Sequence, residues 1–367
     1  MTRELFAGVM SGISLDGIDA VLADFASDSG AARLLAAVHV DFPAPLRDEL
    51  FALQTSGPDE IVRAARAAQQ LADLYAQALR EVCLATGVTA RDVIAAGVHG
   101  QTVRHRPHEG WTTQLNSGAR VAECAGMPVV TDFRMRDIAA GGQGAPLVPA
   151  FHAAVFRHRE RHRVVANLGG IANVTDLPPE GAVRGFDTGP GNVLLDLWCA
   201  RTCGAPFDAD GRSAASGTVD AALLAALLAE RYLALPPPKS TGRDLFDAAW
   251  LEAILGSHPR APADVQATLA TFTARSLAAA IRVYCDGAQE LLLCGGGVRN
   301  ADLVVRIRAE LPMMEVLPTD AFGVASEHVE ALAFAWLARE TMAGRPGNLP
   351  AVTGAAGPRV LGAIYPR

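Results

Sequence analysis

The chain reads as an α/β protein built from two related half-domains, and three observations point there. Twice, a run of β-type residues breaks at a glycine-rich turn and resumes as a second run: Leu5 to Met10 then Ile18 to Phe25, and Val164 to Leu168 then Ile171 to Leu177. Such a pattern predicts strand, tight turn, strand. Alanine-rich stretches at 61–80 and 218–235 predict helices around those hairpins. Finally, 367 residues that are 50% hydrophobic, with 35 Gly and 22 Pro, suffice for two domains, each with its own core.

The first turn is Gly8-Val9-Met10-Ser11-Gly12-Ile13-Ser14-Leu15-Asp16-Gly17-Ile18-Asp19. Glycines let backbone N–H groups converge on an anion, and serine hydroxyls add donors. Asp16 and Asp19 could hold Mg²⁺ directly or through water. The turn suits a nucleotide's phosphates, although an ordinary hairpin with solvated aspartates has the same local pattern. It is not a Walker A loop, since no G-x-x-x-x-G-K-[ST] occurs in the chain. The second turn, Gly169-Gly170 in RVVANLGGIANVTDL, repeats the arrangement. Two half-domains would then each offer one hairpin to a nucleotide, unless the two hairpins are unrelated.

Next comes Arg184-Gly185-Phe186-Asp187-Thr188-Gly189-Pro190-Gly191-Asn192. Asp187 falls where a strand should end, before a helical stretch from Asn192 to Cys203. A carboxylate at a helix start should stay ionised, in a position suited to a general base. An Asp before Gly equally suits a turn or a helix cap. Further on, Glu290 to Cys294 predicts a buried strand that feeds Gly295-Gly296-Gly297. A helix follows, capped by Asn300, with Leu303, Val304 and Ile307 as its apolar stripe. Three glycines permit close approach of a flat ligand such as adenine, or of a ribose. The segment 236–247 (PPPKSTGRDLFD) reads either as a substrate lid bearing Lys239, Ser240, Thr241 and Arg243, or as a plain connection into a helix.

A net charge of −7 gives no reason to expect nucleic-acid binding. No run approaches the ~18 apolar residues of a membrane span. The six cysteines include no C-x-x-C, and no signal peptide opens the chain, so reduced thiols and a cytoplasmic setting are expected. No zinc spacing is present.

Seven segments, in order from end to end, resemble the 1,6-anhydro-N-acetylmuramic acid kinases of the sugar kinase, heat-shock protein and actin superfamily. They are GVMSGISLDGID (8–19), HGQTVRHRP (99–107), TDFRMRDIAAGGQGAPLVPAFH (131–152), NLGGIANVT (167–175), GFDTGPGN (185–192), CGGGVRN (294–300) and GNLPAVTGAAGPRVLGAIYP (347–366). The resemblance implies two ribonuclease-H-like (actin-like ATPase) domains flanking a nucleotide and substrate cleft. On this reading domain I takes 1–130 plus about 347–367, with the first phosphate hairpin. Domain II takes 131–346, with the second hairpin, the catalytic Asp and the nucleoside Gly loop. The implied reaction adds water to the anomeric carbon, opens the anhydro ring and passes the γ-phosphoryl group of ATP to O6. The product is N-acetylmuramic acid 6-phosphate, formed in peptidoglycan recycling. Because phosphorus captures O6, one carboxylate can serve where ordinary glycosidases use two.

By the same resemblance Asp187 is the base. Residues Gly12 to Asp19, Gly169, Gly170 and Gly295 to Gly297 hold ATP with Mg²⁺, and the enzyme is a cytoplasmic homodimer. His99, Gln101, Arg134, Arg136 and Glu330 are the sugar-side candidates, an Arg being suited to the substrate's lactyl carboxylate. Arg134, Arg136 and Asp137 could instead form a local ion-pair network, and His99 a structural hydrogen bond. Two positions depart from the family pattern. Ile13 replaces Thr, removing a hydroxyl from the phosphate loop, and Asn116 replaces Gly, which a left-handed turn would tolerate. The competing functions are a kinase for another amino sugar, or a nucleotide-binding regulator without turnover.

Overall fold

A computed structural model describes residues 3–12, 15, 17–26, 32–242, 245–257 and 259–367. It divides into two compact units, Met1–Val155 with Gly323–Arg367, and Phe156–Phe322.

The first unit opens with a meander of β1 (Leu5–Met10), β2 (Gly17–Asp24) and β3 (Arg33–Asp41), all antiparallel. The long helix Glu60–Thr86 follows, then β4 (Ala95–Val98), parallel to β1. A side hairpin of β5 (Gln101–Arg106) and β6 (Trp111–Leu115) leads to β7 (Val129–Thr131), parallel to β4. A last strand, Ala363–Tyr365, pairs antiparallel with β7 and completes a six-stranded sheet. Leu71, Tyr75, Leu79 and Val82, at helical spacing on Glu60–Thr86, are fully buried in the core with Leu5, Val9, Ile18 and Leu22.

The other sheet face is covered by the helix Val329–Met342. A Cβ on Gly8 would lie 1.9 Å from the Ala331 carbonyl oxygen, and one on Gly97 would lie 2.0 Å from that of Phe334. Gly8 and Gly97 are register partners on β1 and β4. Two adjacent strands therefore lack side chains where the helix backbone crosses them, the close approach that a glycine inside a strand signals.

The second unit repeats the plan. Strands β8 (Arg163–Leu168), β9 (Ile171–Leu177) and β10 (Arg184–Pro190) form an antiparallel meander. Strands β11 (Glu290–Cys294) and β12 (Glu315–Pro318) add in parallel beside β8. The sheet order is β10-β9-β8-β11-β12, matching β3-β2-β1-β4-β7 of the first unit. This shared order is that of two ribonuclease-H-like α/β units. The helix Pro262–Tyr284 carries much of the second core, through Leu269, Phe272 and Leu277.

Three sequence expectations shift. The unit boundaries fall at 155/156 and 322/323 and not at 130/131 and 346/347. Residues 131–155 and the helix Val329–Met342 belong with the first unit, because β7 and that helix pack on its sheet. The helix foreseen over 218–235 ends at Leu228 and is followed by a 3₁₀ turn, Arg231–Ala234. Asn116 is not left-handed; its amide donates to Thr131 Oγ1 at 2.7 Å and its carbonyl accepts from Ser117 N–H at 2.7 Å. None of the six cysteines forms a disulfide, and no helix among the described residues is long and apolar enough to cross a membrane.

Candidate active site

In open α/β sheets ligands bind beyond the carboxyl ends of parallel strands. In the first unit β1 runs into Ser11-Gly12 and the neighbouring β4 into His99-Gly100. Ser11 Oγ shares a 2.8 Å hydrogen bond with the phenol of Tyr75. Gln101 is fully buried and its Nε2 donates to the Gly12 carbonyl at 3.2 Å, fixing the entry to the turn. Leu15 is left-handed (φ 57°) and donates its N–H to the same carbonyl. The side chains of Leu15 and Ile18 lie in the core, so these two residues can meet an anion only through the main chain. Ile13, Ser14 and Asp16 lie outside the described residues. Gly17 has a packing reason, since a Cβ there would lie 2.6 Å from both His39 Nε2 and the Val40 carbonyl oxygen. Asp19 is bonded to His39 Nδ1 at 2.8 Å, a partner the sequence reading missed. No group of three His, Cys, Asp or Glu residues among the described ones forms a metal cage.

His99 and Arg134 form the unit's other polar centre. Arg134 Nε and Nη2 both donate to His99 Nε2, at 3.0 and 2.8 Å, and Nη1 donates to the Gly144 carbonyl at 2.8 Å. Arginine can only donate, so His99 is neutral with its proton on Nδ1. Burial, aided by the Arg134 cation, holds the imidazole pKa well below its ordinary value. Burial likewise brings Arg134 down to about 10, opposed by the charges of Glu330 and Asp137. Among the described residues three of the five guanidinium N–H groups find acceptors and two do not.

The foreseen alternative of an ion-pair network does not form. Asp137 is fully buried and accepts from Gly144 N–H (2.8 Å), Asn348 Nδ2 (2.6 Å) and Thr353 Oγ1 (2.8 Å). These bonds tie the 137–144 turn to the C-terminal segment. Arg136 is exposed on the short helix Met135–Ala139. Glu330, half-buried in the first turn of Val329–Met342, acts electrostatically on Arg134.

In the second unit the glycine motifs converge on the carboxyl ends of β8 and β11. The N–H groups of Gly191, Asn192 and Val193 donate to the carbonyls of Gly170, Gly169 and Gly170, at 2.9, 2.8 and 3.0 Å. The GPGN turn therefore lies directly over the Gly169-Gly170 hairpin, and a Cβ on Gly191 would sit 2.2 Å from the Gly169 carbonyl oxygen. Gly295 is left-handed (φ 84°), and a Cβ there would meet Asn167 Oδ1 at 2.2 Å. A Cβ on Gly297 would meet that of Leu168 at 2.6 Å, whereas one on Gly296 would meet nothing within 4 Å. Packing thus accounts for Gly295 and Gly297 but not for Gly296, whose face is open for a ligand. Asn300 caps the next helix by accepting from Leu303 N–H at 3.0 Å, as foreseen.

Asp187 is not at a helix start: it lies within β10, and the helix begins at Val193. A β-bulge between Asp187 and Gly189 turns the strand there, a device that re-aims side chains. Because β10 is the sheet's edge, the outward main-chain groups of Asp187 need partners from elsewhere. Its N–H donates to the Lys239 carbonyl at 3.1 Å, and its carbonyl accepts from the Tyr232 hydroxyl at 3.0 Å. Thr241 N–H donates to Asp187 Oδ2 at 3.0 Å. Oδ1 has no hydrogen-bond partner among the described residues. The cause expected to govern its ionisation, a helix start, is replaced by burial. Burial raises the Asp187 pKa to about 6, against the lowering effects of the Thr241 N–H and the Lys239 charge. Such a group is anionic at neutral pH yet basic enough to take a proton. Lys239 and Thr241, read as lid residues, are thus fastened to Asp187, while Tyr232 carried no sequence signal. Arg243 lies outside the described residues.

The model of the anhydro-N-acetylmuramic acid kinase family matches residues 4–367. An anhydro-N-acetylmuramic acid kinase of Thiobacillus denitrificans is 54% identical over 365 residues, covering 99% of this chain and 97% of that protein. Its namesake in Bordetella petrii is 56% identical over 369 residues, covering 99% and 96%. A third, from Chromobacterium violaceum, is 51% identical over 366 residues, covering 99% and 100%. Matches of this extent leave neither unit outside the relationship, and the chain belongs to the anhydro-N-acetylmuramic acid kinase family.

Proposed function

We propose that the protein uses ATP to open 1,6-anhydro-N-acetylmuramic acid by hydrolysis and to phosphorylate its O6. The observation that carries the mechanism is Asp187, with Oδ2 held by an N–H and Oδ1 unpartnered among the described residues. Oδ1 takes a proton from water as the water oxygen bonds to C1. The C1–O6 bond breaks, O6 bonds to the γ-phosphorus, and ADP leaves. Water, sugar and ATP thus become N-acetylmuramic acid 6-phosphate and ADP, with no second carboxylic acid needed to protonate O6.

Backbone groups of the Gly12–Asp19 turn and of Gly169-Gly170 are the proposed phosphate contacts, and the open face of Gly296, between Gly295 and Gly297, is the proposed nucleoside contact. Mg²⁺ is commonly held by one or two carboxylates together with substrate phosphates and water. Asp19, its side chain 45% exposed with Oδ1 on His39 Nδ1, is the carboxylate proposed to hold it, together with Asp16, which lies outside the described residues. Bound there, Mg²⁺ would neutralise charge on the phosphoryl group in transit. Arg134, with two donors remaining, is the proposed partner of the lactyl carboxylate, supported by the neutral His99 that aligns it. Gln101 holds the turn, Glu330 faces the sugar hydroxyls, and Arg136, being exposed, is the weaker arginine candidate. A cytoplasmic homodimer belongs to the same proposal and rests on family membership.

The test is purified protein with ATP, Mg²⁺ and 1,6-anhydro-N-acetylmuramic acid, read by mass spectrometry. The reading expects a sugar phosphate that has gained one water. ATP binding without that product would contradict it.

A further inference from the structure

The segment fastened to Asp187 has chemistry of its own. Lys239 Nζ donates to the carbonyls of Leu233 (3.0 Å) and Tyr232 (3.4 Å) and stands 4.9 Å from the Tyr232 ring centroid. None of these partners is a carboxylate, so among the described residues the ammonium is held by dipoles and a π-face and no ion pair neutralises its charge. Tyr232, in turn, donates its hydroxyl to the Asp187 carbonyl, and its ring packs edge-on against Phe246 at 6.2 Å. One residue thus tethers the segment that supplies both the Lys239 carbonyl and the Thr241 N–H to Asp187.

We propose that Lys239 is a positioning residue for the Asp187 base: its ammonium pins segment 239–241 and Tyr232 to the edge of β10, and supplies the counter-charge that keeps the carboxylate anionic. The proposal rests on the reading of Asp187 as the base. Burial alone favours the protonated acid, while the Lys239 charge opposes it. Among the described residues the titratable group acting on Asp187 is Lys239, on this segment, while Tyr232, on the 231–234 turn, feels the Asp187 charge in return. Strand β9 presents Asn173 in register with Asp187, and the helix Pro262–Tyr284 presents Ser276 beside Gly189, neither of them ionisable.

The experiment compares pH profiles of kcat/KM for Lys239→Met, Lys239→Arg and wild type, after thermal melts establish that each is folded. Lys239→Met keeps an unbranched stem without the charge. Its acid limb should move up by about one pH unit, the lower range for loss of a nearby opposite charge. The loss of activity should then grow from about twofold at pH 7 to about fivefold near pH 6. Lys239→Arg should restore the wild-type limb. An unmoved limb in a folded Lys239→Met, even with lower kcat, would show that the lysine supplies no counter-charge to Asp187 and overturn the proposal. Should Lys239→Met not fold, Tyr232→Phe removes only the hydroxyl bond to the Asp187 carbonyl. A several-fold fall in kcat at unchanged KM for ATP would support the positioning role, and an unchanged kcat would refute it. Asp187→Asn separates the two claims. If it is inactive while the Lys239 variants match wild type, the base stands and this inference falls; if it is active, the base reading falls first.

Discussion

Asp187 holds a carboxylate in a place that favours its protonated form, and this has consequences for stability as well as rate. Its folded pKa of about 6 lies above the value near 3.9 of an unfolded chain. Its favourable contribution is therefore complete below pH 4 and lost as pH rises through 6. Asp187→Asn should leave stability near pH 4 little changed but raise it at pH 7.5 by on the order of 1–3 kcal/mol. Turnover should fall at least a hundredfold, with ATP binding intact. Urea titrations at the two pH values check the first part. Equal effects of the substitution at both would show that the carboxylate is not strained by burial. A tenth of the wild-type rate remaining would show that it is not the base. Sequence pattern picked out Asp187 but misplaced it at a helix start. Its proton affinity is raised by burial and lowered by Thr241 and Lys239, some fifty positions on, none of which a local pattern encodes. Asp19 fared similarly. Its acidic character was legible, but its bond to His39 across the β2–β3 pair was not.

At the scale of elements, the hairpins were legible because β-type runs bounded by glycine leave little choice of register or turn. Leu5–Met10 and Ile171–Leu177 match the sequence runs at both ends. The assignment of the helix Val329–Met342 to the first unit was not legible, since its partners are two glycines more than 200 residues away in the chain. Gly8 and Gly97 signal that some backbone approaches closely, without saying which. A methyl group on Gly97 would sit 2.0 Å from the Phe334 carbonyl oxygen, so the helix must lift. Gly97→Ala should cost about 1–3 kcal/mol, the usual range for overpacking, measured by urea unfolding. Because the same helix carries Glu330, the variant should also raise KM for the sugar more than KM for ATP. A change below about 0.5 kcal/mol, typical of a surface site, would contradict the packing argument.

The whole chain presents one plan twice, a meander extended by two parallel strands, with glycine turns at the carboxyl ends of the parallel strands in each unit. Sequence reading foresaw two related half-domains because both hairpins carry the same alternation of β-runs and glycine. It misplaced their boundaries because the parallel strand β7 is only three residues long and follows a side hairpin. The plan places Asp187, the proposed base, in one unit and the half-buried Arg134, the proposed anion partner, in the other. The account's central claim is that this equipment couples water attack at C1 to capture of O6 by phosphorus. The most direct test runs the reaction in ¹⁸O-water and locates the label by mass spectrometry of the sugar phosphate. The account predicts one ¹⁸O at C1 and none in the phosphate. A sugar phosphate without ¹⁸O at C1, or ¹⁸O appearing in inorganic phosphate instead, would mean that water does not attack C1, and would contradict it.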